Sequence, residues 1–198
     1  MPHKLPRGLY ALYDDGQPQA VLEAVRGGAQ AVQLRLKHTS DREALALSLA
    51  LRPHVPTLII NDRVDLALLA GCGVHLGADD LPVAVARRLL GPDALIGATC
   101  RSLADVEQAR AEGADYAGVG PVFSSRTKTL AVPLLGEAGL AEICARSPLP
   151  VVAISGIDAA NIGSVARAGA HAAAVSAALF HADDPARAAA MMLSQWGR

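Results

Sequence analysis

Two short apolar stretches of this chain end in acids: Ile59-Ile60-Asn61-Asp62, and Gly73-Val74-His75-Leu76-Gly77-Ala78-Asp79-Asp80. A buried strand has no use for a carboxylate at its tip, whereas a site assembled at strand ends does. Two carboxylates delivered this way can hold one hard cation, and a hard cation beside basic side chains points to a phosphate-bearing substrate. Such side chains are at hand. In Gln33-Leu34-Arg35-Leu36-Lys37 a period of two puts Gln33, Arg35 and Lys37 on one face and Leu34 and Leu36 on the other. Ser124-Ser125-Arg126-Thr127-Lys128 gathers three hydroxyls and two cations in five residues, the composition of a phosphate clamp. Small residues at Ser155-Gly156 and Val175-Ser176-Ala177 let backbone N–H groups approach a second anion, and Thr99 offers a further hydroxyl.

Each cluster also has a plainer reading. Asn-Asp is common turn chemistry, one of Asp79 and Asp80 suits a cap for a helix near Leu81-Pro82, and the basic strand and the hydroxyl-rich loop could both be solvated. His75 reads as a strand histidine held by its neighbours rather than as a catalyst. Cys100 has no partner histidine in a comparable motif, so it makes a poor nucleophile.

The elements that would carry these residues follow from the pattern. Eight β-compatible runs occur: Leu9–Tyr13, Ala31–Leu36, Thr57–Ile60, Gly73–Leu76, Leu95–Ala98, Tyr116–Val122, Val151–Ile154 and Ala172–Ala178. Several are continuously apolar, as in parallel strands covered on both faces. Helix-like segments separate them. Ser40-Asp41-Arg42-Glu43 is a capping box, Ser102 and Asp158 are N-cap candidates, and Asp184-Pro185 places a cap before an N1 proline. Helices are expected to stop at Gly28, Gly113 and Gly169, each followed by Ala and a new strand. The third helix, around Arg63–Ala70, should be short. Eight strands alternating with about eight helices predict a compact, closed (β/α)8 barrel, as one domain over residues 1–198. An open doubly wound sheet is the alternative, weakened by the missing G-x-G-x-x-G turn after the first strand.

Composition narrows the function. A formal net charge of −1 and 3% aromatic residues leave neither the basic footprint nor the stacking platform of a nucleic-acid binder. No apolar run reaches the ~18 residues a membrane span requires. The segment Met1-Pro2-His3-Lys4-Leu5-Pro6-Arg7 has no apolar stretch behind it, which makes the cytoplasm the expected location. Cys72, Cys100 and Cys144 are odd in number and scattered, so they read as buried or incidental thiols.

Taken together, the chain resembles the thiamine phosphate synthase family. The resemblance is carried by Gln33–Lys37, Ile60-Asn61-Asp62-Arg63-Val64-Asp65, Gly73–Gly77, Gly113–Tyr116, Gly118-Val119-Gly120-Pro121-Val122-Phe123, Thr127-Lys128 and Val151–Ile157, in that order. It implies a (β/α)8 barrel of the phosphate-binding type and a transferase that joins hydroxymethylpyrimidine diphosphate to hydroxyethylthiazole phosphate, releasing diphosphate and thiamine phosphate. It further implies that Gln33, Arg35, Lys37, Asn61, Thr99 and Lys128 hold the pyrimidine diphosphate. Asp62 and Asp80 would bind Mg2+, which leaves Asp79 as a cap or bystander. Ser125, Thr127, Gly156, Val175 and Ser176 would receive the thiazole phosphate. Arg35, Lys37 and Lys128 would then carry the catalytic positive charge.

Some positions depart from the family pattern. Leu36 stands where Glu is common, Ala78 where Gln is frequent, Thr99 where Ser is usual, Ser125 where Thr is common, and Ser155 at the first glycine of a Gly-Gly pair. Two rivals share the fold: a thiazole tautomerase, and a non-catalytic regulator that binds thiazole phosphate. Asp62, Asp80 and Lys128, with Pro121 where some tautomerases carry histidine, favour the synthase. The sequence leaves the oligomeric state open, a homodimer included.

Overall fold

The computed structural model of the chain describes residues 5–14, 16–124 and 133–197. Eight parallel strands close on themselves in chain order: β1 (Gly8–Tyr13), β2 (Ala31–Leu34), β3 (Thr57–Asn61), β4 (Gly73–Leu76), β5 (Ile96–Cys100), β6 (Tyr116–Val119), β7 (Val151–Ile154) and β8 (Ala172–Val175). β8 returns to β1 with Gly8 opposite Ala172 and Ala11 opposite Val175, which completes the barrel. The helices wrap outside: α1 (Gln19–Arg26), α2 (Asp41–Leu51), α3 (Val64–Ala70), α4 (Val83–Leu90), α5 (Leu103–Glu112), α6 (Gly136–Arg146), α7 (Ile162–Arg167), α8 (Ala177–Phe180) and α9 (Pro185–Trp196). Among the described residues no helix is long and apolar enough to cross a membrane.

The continuous apolar runs arise because both faces of every strand are buried. Leu9, Ala11 and Tyr13 of β1 pack outward against the helices while Tyr10 points inward, and Leu58 and Ile60 of β3 alternate with Ile59 in the same way. The interior is filled by Tyr10, Ala31, Ile59, Leu95, Tyr116, Val152, Ala172 and Ala174, with Leu5 packed against them. Two large tyrosines are balanced by glycine. A Cβ on Gly97 would stand 2.0 Å from the Tyr116 ring, so only glycine leaves that ring its space.

Local signals explain the element ends. Ser40 and Ser102 each accept from the third backbone N–H of their helix and complete capping boxes with Glu43 and Asp105. Asp184 caps α9 through Arg187 N at 2.9 Å. Gly113 ends α5 in the left-handed conformation. Four expectations shift. Asp158 accepts from Ala160 N within the turn ahead of α7, whose first cap residue is Asn161. Gly27 caps α1, with Gly28 at φ +108 just after it. Ala168 caps α7, with Gly169 at φ +92 just after it. The runs ending at Leu36, Val122 and Ala178 are shorter as strands: β2 stops before Arg35, β6 before Gly120-Pro121, and β8 before Ser176. Past β2 and β6 the extra residues form loops at the barrel mouth, and past β8 Ser176 leads straight into α8, which takes in Ala177 and Ala178.

A second cluster braces the opposite end. Arg87 of α4 donates to the carbonyls of Gly113, Gly91 and Ala94, and pairs with Asp115 at 2.7 Å. Asp115 also accepts from Ile96 N at 2.7 Å, so one guanidinium ties α4, β5 and the start of β6 together.

Candidate active site

The C-terminal strand ends gather the acidic, basic and hydroxyl side chains at one mouth. Asp62 follows β3 and adopts φ +65, a left-handed conformation that Asp and Asn tolerate better than most residues. Its N–H bonds to His75 O at 2.9 Å, extending the β3–β4 pairing by one residue. Arg63 fixes the corner from outside by pairing with Asp41 of α2 and Asp65 of α3. Asp80 is folded back over its own loop, where one carboxylate oxygen accepts from Gly77 N at 2.6 Å. The Asp62 and Asp80 carboxyls lie within hydrogen-bonding reach of each other. Burial first, and then the nearness of Asp80, push the Asp62 carboxyl up to about 6, while Lys37 and Arg35 pull it down. Two facing carboxylates resist joint ionisation unless a cation stands between them. Among the described residues there is no group of three or more His, Cys, Asp and Glu that could hold a metal. A pair of carboxylates with no nitrogen or sulfur donor fits a hard cation that keeps several waters and shares ligand phosphates, not a zinc-type centre.

Asp79 is exposed, and the N-cap of α4 is Pro82 with no side-chain cap, so neither acid caps that helix. Arg35 lies just past β2, where its backbone N–H bonds to Tyr13 O and its guanidinium pairs with Asp14 at 2.6 Å. Lys37 is exposed at the same rim. Asp14 has a second partner, Ser176 Oγ, at 2.9 Å. That carboxylate thus bridges the basic strand end and the loop after β8. Sequence reasoning missed Asp14, although it directly follows the first apolar run as Asp62 follows the third.

Gln33 is 4% exposed and points into the barrel, where Nε2 donates to Asn61 Oδ1 at 2.7 Å and Oε1 accepts from Tyr10 at 3.3 Å. The Tyr10 and Tyr116 hydroxyls are 2.9 Å apart. His75 lies between Tyr116 Oη, 3.1 Å from Nδ1, and Thr99 Oγ1, 3.0 Å from Nε2, and stacks on the Tyr116 ring. It is held by neighbours, as expected. Burial drives its pKa down to about 4, so it is neutral at physiological pH. Burial likewise raises both tyrosines, keeping them protonated.

At the other side of the mouth, Gly156 has φ +67, and a Cβ there would meet Ser124 O at 2.4 Å. Ser155 adopts φ +85 and donates its hydroxyl to Phe123 O at 3.0 Å, so its side chain is engaged with the strand-six loop. Val175 is buried among the outer apolar residues, which leaves only its backbone to meet a ligand. Ser125, Thr127 and Lys128 lie outside the described residues. Burial raises the thiols of Cys72, Cys100 and Cys144 to about 11, 12 and 11, matching inert residues rather than nucleophiles.

Known proteins share this architecture and sequence. The profile of the family described as thiamine monophosphate synthase matches residues 9–179. The thiamine-phosphate synthase of Anaeromyxobacter dehalogenans is 51% identical over 190 residues, covering 93% of this chain and 86% of the relative. That of Myxococcus xanthus is 49% identical, covering 92% and 88%. The thiamine phosphate pyrophosphorylase from Pyrococcus furiosus superposes with a TM-score of 0.86 at 33% identity, covering 96% of this chain and 95% of that one. A family profile that runs from β1 into α8, together with such identity along nearly the whole barrel, places this chain in the thiamine monophosphate synthase family.

Proposed function

We propose that the chain is a thiamine-phosphate synthase: a transferase that moves the pyrimidinylmethyl group of hydroxymethylpyrimidine diphosphate onto the ring nitrogen of hydroxyethylthiazole phosphate. The observation that carries this reading is the facing Asp62–Asp80 pair beside Arg35 and Lys37 at the barrel mouth. The two carboxylates would hold Mg2+, which when bound supplies charge neutralisation at the diphosphate leaving group. Arg35 and Lys37 add fixed positive charge on the same side, and Lys128 is assigned to this group by the resemblance alone. Arg35 is already oriented by Asp14 at 2.6 Å, so little reorganisation is needed when charge develops.

The electron-rich aminopyrimidine can carry the positive charge left on its methylene carbon. The carbon–oxygen bond to diphosphate therefore breaks largely before the carbon–nitrogen bond forms. The thiazole nitrogen needs no proton removed, so no general base is required, and positioning with electrostatics supplies most of the acceleration. Gln33, Asn61 and Thr99 would seat the pyrimidine diphosphate. Gly156, Ser176 and the Val175 backbone, with Ser125 and Thr127, would seat the thiazole phosphate.

The test is to give purified protein both substrates with Mg2+ and follow thiamine phosphate. Product formation is the expected result. Aromatisation of an unaromatised thiazole phosphate with no coupling would reassign the chain as a tautomerase, and tight thiazole phosphate binding without turnover would make it a regulator.

A further inference from the structure

Six side chains from six strands form one unbroken hydrogen-bonded path through the barrel: Asn61 of β3, Gln33 of β2, Tyr10 of β1, Tyr116 of β6, His75 of β4 and Thr99 of β5. Three of these, Tyr10, Tyr116 and His75, have no role in the mechanism above. The barrel is built around them. A Cβ at Gly97 would stand 2.0 Å from the Tyr116 ring, and a Cβ on Gly118 would stand 2.8 Å from His75 Cε1. An apolar filling would be simpler, because each buried hydroxyl or imidazole costs stability unless fully bonded.

The direction of the path follows from its amides. Gln33 donates through Nε2 to Asn61, so its Oε1 accepts the Tyr10 hydrogen. Tyr10, having given its one hydrogen, must accept from Tyr116, and Tyr116 must then accept from His75. That requires hydrogen on Nδ1 of His75 and a bare Nε2, which takes the hydroxyl hydrogen of Thr99. The two ends are therefore opposite in polarity. Asn61 gives its oxygen to Gln33 and keeps its NH2, a donor suited to an anionic oxygen. Thr99 keeps only lone pairs, an acceptor suited to a ligand N–H.

We infer that Tyr10, Tyr116 and His75 are positioning residues that lock Asn61 and Thr99 into this donor–acceptor pair for the pyrimidine diphosphate. The assignment of that ligand rests on the function proposed above. A path of this kind acts as one object, since cutting any link releases both ends.

The test has two arms. Nitrogen-15 NMR of the imidazole, assigned with His75→Gln, reads the tautomer without any substrate. Protonated Nδ1 and bare Nε2 are expected in the wild type, and a wild type protonated at Nε2 overturns the proposal. In the coupling assay, Tyr116→Phe removes one hydroxyl and keeps the ring. It is expected to raise KM for the pyrimidine diphosphate about tenfold, the factor for one lost buried hydrogen bond, with KM for the thiazole phosphate moving less than about twofold. Tyr10→Phe should do the same, and the double variant no more than either single. Equal rises in both KM values, or additive effects, would reduce the tyrosines to structural filling. A wild type that couples no substrates would defeat the proposed function instead, while the tautomer measurement still stands.

Discussion

Replacing Asp62 with Asn should make the metal-free protein more stable while abolishing its response to Mg2+. Asp62 sits at φ +65, where Asn is also well tolerated, so the change adds no backbone strain. Its carboxyl is raised from 3.8 to about 6 by burial and by Asp80. Because the folded state holds that proton more tightly than the unfolded chain, its favourable contribution exists at low pH. It is lost as pH rises from about 4 through about 6. A rise from 3.8 to about 6 corresponds to roughly 3 kcal/mol at full effect, but solvent screens this half-buried group, leaving about 1 kcal/mol. For a chain of this size that is a rise of about 2–4 °C in Tm. Scanning calorimetry in chelator should thus find Asp62→Asn more stable than wild type by that margin at pH 7.5, with the gap closing near pH 4. Comparing the two proteins cancels the opposite pH trends of Asp41, Glu43 and Asp65, whose carboxyls are lowered by their partners. Added Mg2+ should stabilise the wild type, by about 2.7 kcal/mol at a hundred times Kd, and leave the variant unmoved. A variant less stable than wild type at pH 7.5, or one equally stabilised by Mg2+, would refute the reasoning.

Other sites give independent checks. Gly97→Ala drives a methyl into the Tyr116 ring and should cost about 3 kcal/mol in urea denaturation, the upper end for overpacking. Arg87→Met strips the brace from the far end of the barrel and should cost about 3 kcal/mol, with KM for both substrates unchanged at a permissive temperature. Gly156→Ala collides with Ser124 O and should raise KM for the thiazole phosphate at least about tenfold more than KM for the pyrimidine diphosphate, as one anion seat is lost. A disulfide reagent at neutral pH should label none of Cys72, Cys100 and Cys144 rapidly in the native protein, and all three in urea, since burial holds the thiols protonated.

The barrel was legible because its signals are local. Continuous apolar runs, capping boxes at Ser40 and Ser102, and the Gly113 stop each act within a few residues. Asp62 and Asp80 were legible as strand-end acids, and their approach to each other follows once β3 and β4 are neighbours. What could not be read is what depends on contacts across the barrel. Tyr10 and Tyr116 are 106 residues apart and look like ordinary core aromatics until ring closure brings their hydroxyls together. Asp14 acquires its meaning only when closure places Ser176 beside β1. The left-handed backbone at Ser155, where glycine is the easier choice, is sustained by a hydroxyl bond to Phe123 that no sequence spacing announces.

The most direct measurement is a Mg2+ titration of product formation after exhaustive chelation, with thiamine phosphate and diphosphate both quantified. The account predicts one diphosphate released per thiamine phosphate formed, both appearing only as Mg2+ is restored, and neither from Asp62→Asn. Undiminished thiamine phosphate formation in the presence of chelator, or by Asp62→Asn, would contradict it.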